Sequence, residues 1–138
     1  MLVSLTWGLV AGHLLARPHV LAMPLLVIWT ASLIRACEEN RAPRLWLLVV
    51  MVCWANLHGG FTLGLALTAA FGAEAVLGTK GRAERYKTAR RWALFGALSL
   101  AAAMLTPYGF KGLLFTWKIL SMSYALDNIG EWLSPNFH

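Results

Sequence analysis

The chain has 138 residues, 59% of them hydrophobic and 13% charged, with a formal net charge of +6 and a mean hydropathy of +0.62. Soluble domains carry about 25% charged residues, and a small domain buries only about two thirds of what its unfolded chain exposes, so this composition excludes a freely soluble globule. Nine of the twelve Lys and Arg fall within residues 35–44 and 79–91, an arrangement that fits membrane orientation and argues against a nucleic-acid-binding face.

The first hydrophobic segment covers residues 1–16 and closes at Arg17-Pro18-His19. It has neither the basic start nor the small-residue cleavage site of a signal peptide. Because the chain opens inside a hydrophobic run and stops in a polar one, it is expected to be part of a larger protein. Segment two, residues 20–34, ends in a charged stretch from Arg35 to Arg44. Segment three, residues 45–57, breaks at His58-Gly59-Gly60, and segment four, residues 61–78, runs into the basic stretch from Lys80 to Arg91. Segment five, residues 92–105, stops at Thr106-Pro107-Tyr108-Gly109. Residues 110–123 space Phe110, Leu113, Leu114, Trp117 and Leu120 as one apolar helical face and suit an interfacial helix. The tail from Tyr124 to His138 reads as solvated.

A spanning helix needs about 20 apolar residues; segment three offers 13. Either its Gly-Gly turn lies below the membrane surface in a wet depression, or segments three and four form one long kinked helix. The kinked helix would put two basic stretches on opposite sides, against the positive-inside rule, so the hairpin is preferred. The expected fold is all-α: a single polytopic transmembrane helix bundle over residues 1–138, with about five hydrophobic segments and an interfacial helix. Gly60, Gly64, Thr68 and Gly72, and likewise Ala93, Ala97 and Ala101, recur every four residues, and Gly8 and Gly12 repeat that spacing. Such stripes let helices approach closely in lipid. The seven Trp suit the membrane–water interface. Cys37 and Cys53 lie in different segments without ligand spacing and read as inert apolar residues.

With both basic stretches on one side, four elements meet on the other: Arg17-Pro18-His19, the Asn56 to Gly60 turn, the Thr106 to Gly109 corner with Lys111, and the stretch from Asp127 to Trp132. Ionisable groups near membrane depth are costly and usually line a cavity or pathway. The candidate substrate-binding residues are Arg17, His19, Asn56, His58, Tyr108, Lys111 and Glu131. Arg17, His58 and Lys111 form a possible phosphate or pyrophosphate cradle; Asp127 and Glu131 suit orienting or deprotonating a hydroxyl. Each has a plainer reading: Arg17 snorkels to the interface, His58 caps its turn, Asn56 bonds freed backbone at a helix end, and Glu131 sits in a solvated loop. His58-Gly59-Gly60-Phe61 resembles an esterase oxyanion loop, but no Gly-x-Ser-x-Gly elbow accompanies it. His13, His19 and His58 lack metal-ligand spacing, so no metal and no cofactor is expected.

The phrases Ala16-Arg17-Pro18-His19, Trp54-Ala55-Asn56-Leu57-His58-Gly59-Gly60-Phe61, Pro107-Tyr108-Gly109 and Glu131-Trp132-x-Ser134-Pro135 resemble those of a family of large bacterial multi-spanning membrane proteins. That family is itself described as similar to the C-type glycosyltransferases, which include the aminoarabinose and protein O-mannosyl transferases. Family members often carry Asn where this chain has Thr106. The resemblance implies an inner-membrane protein with its basic loops cytoplasmic, transferring a sugar from a polyprenyl-phosphate carrier at the periplasmic face. In such enzymes the acceptor-activating carboxylate lies in the first external loop, ahead of anything matching this sequence. The catalytic residue is therefore unidentified here, and the chain alone is not expected to be competent. Its expected partners are membrane lipid, the polyprenyl-linked sugar and the remaining segments of the parent protein. A transporter or flippase-like module, with segment three as a discontinuous helix, and a non-catalytic structural membrane protein are the alternatives.

Overall fold

The computed structural model describes residues 18–121, with five helices: α1 Pro18–Glu38, α2 Leu47–Leu57, α3 Phe61–Gly78, α4 Arg82–Ala103 and α5 Phe110–Ser121. There is no strand among the described residues. Segment one, the Gly8 and Gly12 pair and the tail beyond Ser121 lie outside them.

Helix α1 runs four residues past the expected end of segment two because charge does not terminate a helix; a carbonyl-capping geometry does. Asn40 adopts φ 50°, and the chain closes with Asn40 N–H on Cys37 O at 3.1 Å and Arg41 N–H on Ala36 O at 3.0 Å. This is a Schellman closure with Asn in the left-handed position usually held by glycine. The basic stretch after Gly81 (φ 88°) is likewise helical rather than a loop. Residues 82–91 hold Ala, Glu, Arg and Lys, all strong helix formers, and Lys87 Nζ donates to Glu84 Oε1 at 2.7 Å one turn away.

Between α2 and α3 the chain reverses within three residues. His58 is extended (φ −160°, ψ 142°) and its N–H closes α2 on Trp54 O. A Cβ built on Gly64, in the first turn of α3, would meet side-chain atoms of Met51 and Trp54 from the middle of α2. No straight or gently kinked helix brings those residues together. At the opposite end, Asn40 and Arg41 share a cleft with Gly78, Thr79 and Lys80. The two basic stretches therefore lie at one end of the bundle, as the hairpin requires.

The core is aromatic. Trp29, Trp54 and Trp92 are 0%, 2% and 4% exposed, so three of the seven Trp serve packing rather than an interface. The reason is the small-residue stripe of α3. Phe61, Gly64, Thr68 and Gly72 form its buried face. Gly64 leaves room for the Trp54 ring and Gly72 for that of Trp92. Trp29 Nε1 donates to Gly64 O at 2.9 Å, Thr68 Oγ1 donates to the same carbonyl at 2.9 Å, and Trp29 stacks obliquely on Phe95 with centroids 5.8 Å apart. The alanine stripe of α4 behaves differently. Ala93, Ala97 and Ala101 are exposed, and the first two line an open apolar groove of about 480 Å³ between α3 and α4.

Two helices, Val20–Glu38 and Phe61–Gly78, are long and apolar enough to cross a membrane. Helix α1 turns Leu21, Met23, Val27 and Ile34 outward. Helix α2 is apolar but reaches only about 16 Å at 1.5 Å per residue. Helix α4 extends about 33 Å by the same measure, but its first half is charged and only its stretch from Trp92 is apolar. A five-span bundle thus exceeds what the described helices provide.

Candidate functional site

The end of the bundle opposite the basic stretches is organised by one side chain. Asn56, on the last turn of α2, donates through Nδ2 to Val52 O at 2.8 Å and to Leu105 O at 3.1 Å. The first bond closes its own helix; the second fastens the 58–60 turn to the C-terminal end of α4. That carbonyl lies beyond the last regular turn of α4, so Asn56 bonds freed backbone, as broken helices in lipid require.

From Leu105 the chain turns a tight corner. Gly109 N–H bonds Thr106 O at 3.0 Å, and Lys111 N–H bonds Tyr108 O at 3.0 Å, opening α5. Gly109 sits at φ 51°, where a side chain is strained. The corner presents Tyr108, 74% exposed, and Lys111, also exposed, while Leu113 in the next turn rests on the core.

His58 is half-buried and its Nδ1 accepts the Gly60 N–H at 2.9 Å. The plainer reading of His58 as a turn cap is therefore realised. Beneath the turn, Trp54 Nε1 is buried without a hydrogen-bond partner among the described residues, 3.6 Å from where a Cβ of Gly60 would stand. A buried donor left unpaired costs roughly 1–3 kcal/mol, and this one lies beneath the turn that carries His58. Sequence reasoning treated Trp54 only as one letter of a motif. Its spacing from Asn56 and His58 gave no sign that the indole N–H would be stranded there.

The seven candidate residues divide accordingly. Asn56, His58, Tyr108 and Lys111 are brought to one end by the hairpin and the Asn56–Leu105 bond. Arg17 and Glu131, with Asp127, lie outside the described residues; His19 lies in the first turn of α1, and its side chain is outside the description. Among the described residues no group of three or more His, Cys, Asp or Glu is placed to hold a metal ion.

A second polar constellation occupies the basic end. A cleft of about 270 Å³ is walled by Arg41, Thr79, Lys80, Glu84, Thr88 and Arg91 over a floor that includes Trp92. A smaller recess beside it is lined by Ser32, Arg35, Arg41, Arg44 and Trp46. Arg41 Nε bonds Glu39, and that hydrogen bond holds the Glu39 carboxyl below the usual carboxylate range, with the charges of Arg41, Arg35 and Arg44 adding to it. The Lys87 hydrogen bond does the same for Glu84.

No family model, curated protein or solved structure matches the chain.

Proposed function

We propose that this chain is the membrane-embedded portion of a glycosyltransferase-like protein that transfers a sugar from a polyprenyl-phosphate carrier at the periplasmic face of a bacterial inner membrane. In this reading its hydrophobic segments form a five-pass bundle with α5 in the interface and the basic stretches in the cytoplasm. The observation that carries it is the Asn56–Leu105 bond, which supports the convergence of His58, Tyr108 and Lys111 at the end away from the basic residues. The resemblance of the Trp54 to Phe61 phrase to that protein family supplies the chemistry. Lys111 serves the carrier phosphate as a point charge and Arg17 as a fork, with His58 on the turn beside them. The catalytic carboxylate belongs to the parent protein, and the chain by itself does not turn over substrate.

The test begins with topology. In intact cells, on a Cys37→Ala, Cys53→Ala background, Tyr108→Cys is labelled by a membrane-impermeant maleimide and Arg82→Cys is not. Labelling of Arg82→Cys instead would move the candidate site to the cytoplasm and sink periplasmic sugar transfer. His58→Ala and Lys111→Ala in the parent protein then abolish glycan product at normal protein level. Loss of uptake or export with product intact would make the protein a transporter.

A further inference from the structure

The cleft at the basic end is more than an orientation signal. Described residues at this end include nine Lys and Arg against four carboxylates, Glu38, Glu39, Glu74 and Glu84. Of these carboxylates, Glu39 is bonded to Arg41 and Glu84 to Lys87. The Glu84–Lys87 pair keeps the one carboxylate of the cleft wall occupied. Lys80 and Arg91, which line the cleft, and Arg35 and Arg44, which line the recess, have no ion-pair partner among the described residues. Arg41 stands between the two spaces. It is fixed by its Nε on Glu39 and its Nη1 on Ala42 O at 3.2 Å, and among the described residues Nη2 is the nitrogen these bonds leave for a ligand. Thr79 Oγ1 is tied back to Ala75 O at 2.7 Å and lies 3.4 Å from Thr88 Oγ1, so the wall between the cations is polar and held in place.

Like charges crowded round a defined space repel, and they are drawn together only if the fold or an anion compensates. Diffuse basic loops flanking a membrane helix attract anionic headgroups at about 1 kcal/mol per residue. Here, by contrast, the helical stretch 82–91 and the 40–41 turn fix the backbone from which Arg91 and Arg41 line one cleft. We infer that this cleft binds a phosphate group, with Arg91 as a fork donor, Arg41 donating through Nη2 and Lys80 as a point charge. The phosphate belongs either to an anionic lipid headgroup of the adjacent leaflet or to a small phosphorylated solute. This site lies at the opposite end from the proposed sugar-transfer site and does not depend on that reading.

The test uses the full chain in nanodiscs, with Arg90→Gln as the control. Arg90 neighbours Arg91 and carries the same charge but does not line the cleft. Binding is read as thermal stabilisation on titrating phosphatidic acid into phosphatidylcholine discs, and separately on adding inorganic phosphate to discs of phosphatidylcholine alone. The expected result is that Arg91→Gln and Arg41→Gln each weaken phosphate-dependent stabilisation about tenfold, as loss of a charge-assisted donor does, whereas Arg90→Gln stays within about twofold, as for an exposed charge. Response to phosphatidic acid alone assigns a lipid headgroup; response to both assigns any phosphate. Equal weakening by Arg90→Gln and Arg91→Gln would mean diffuse attraction and overturn the site, as would no response in either arm.

Discussion

Gly64 is the position where the packing argument is most exposed to refutation. A methyl group there would stand 2.8 Å from Cζ3 of Trp54, with Met51 Cε and Trp54 Cε3 at 3.4 Å. The ring cannot retreat into solvent, because Trp54 is 2% exposed and packed between α2 and α3. Moving α3 away instead would stretch the bond that Trp29 of α1 makes to the Gly64 carbonyl. Overpacking of this kind costs about 1–3 kcal/mol, and we expect Gly64→Ala to lose about 2. The gain in helix propensity from alanine, at most about 1 kcal/mol, offsets only part of the clash. Gly72 is a milder case: its added methyl would meet Trp92 Cε3 at 3.2 Å, and a shift of a few tenths of an ångström relieves it, so Gly72→Ala should cost about 1 kcal/mol. Gly96 has nothing within 4 Å, and Gly96→Ala should be neutral or stabilising by up to about 1 kcal/mol. Unfolding of the three variants in one detergent, followed by tryptophan fluorescence, reads the order directly. Equal stabilities, or a Gly64→Ala protein as stable as Gly96→Ala, would refute the account of the stripe as a seat for indole rings.

Replacing Asn56 by Ala removes the tether to Leu105 and should cost about 1 kcal/mol; hydrogen exchange should quicken at residues 105–109 and leave α3 unchanged, and unchanged exchange at the corner would deny the tether. Trp29→Phe keeps the ring contact with Phe95 but loses the bond to Gly64 O, and should lower unfolding stability by about 1 kcal/mol. Glu39 and Glu84 both have carboxyls held below their ordinary range, so their contributions are present above the unfolded carboxylate value of about 4.3 and fade as pH falls through the lower folded values. Both side chains are exposed, so the effect is small, but melting temperatures taken from pH 7 to 3 should fall less for Glu39→Gln, Glu84→Gln than for the parent chain. An identical slope would show the two pairs to be idle.

Much of the architecture is legible in residue order, and the failures have physical causes. The reversal at His58-Gly59-Gly60 follows from a run too short to span and from the placement of basic residues, and it is found. Helix ends are less legible where charge masks them. Asn40 ends α1 through a left-handed backbone that asparagine tolerates, and the stretch 82–91 is helical because its residues favour helix whatever their charge. The α3 glycine stripe signals close approach, but not that the approaching groups are indoles, since each Trp arrives from a different helix. The bond from Asn56 to Leu105 spans 49 residues and has no sequence signature. The cleft around Arg41 and Arg91 also escapes a linear reading. It exists only because the α1–α2 and α3–α4 connections meet, whereas each basic stretch alone reads as an address label.

The shortness of α2 bears on how such a chain is made. A helix reaching about 16 Å leaves roughly half of a bilayer core of about 30 Å unfilled and offers an insertion machine no independent span. Its three-residue link to α3 removes the difficulty. The pair can partition from the ribosome exit into lipid as one unit, with the longer partner, which alone is long enough to cross, carrying the shorter. Synthesis would then commit α2 only after residue 78 has emerged, and in a stalled chain ending near Gly60 α2 would remain outside the bilayer.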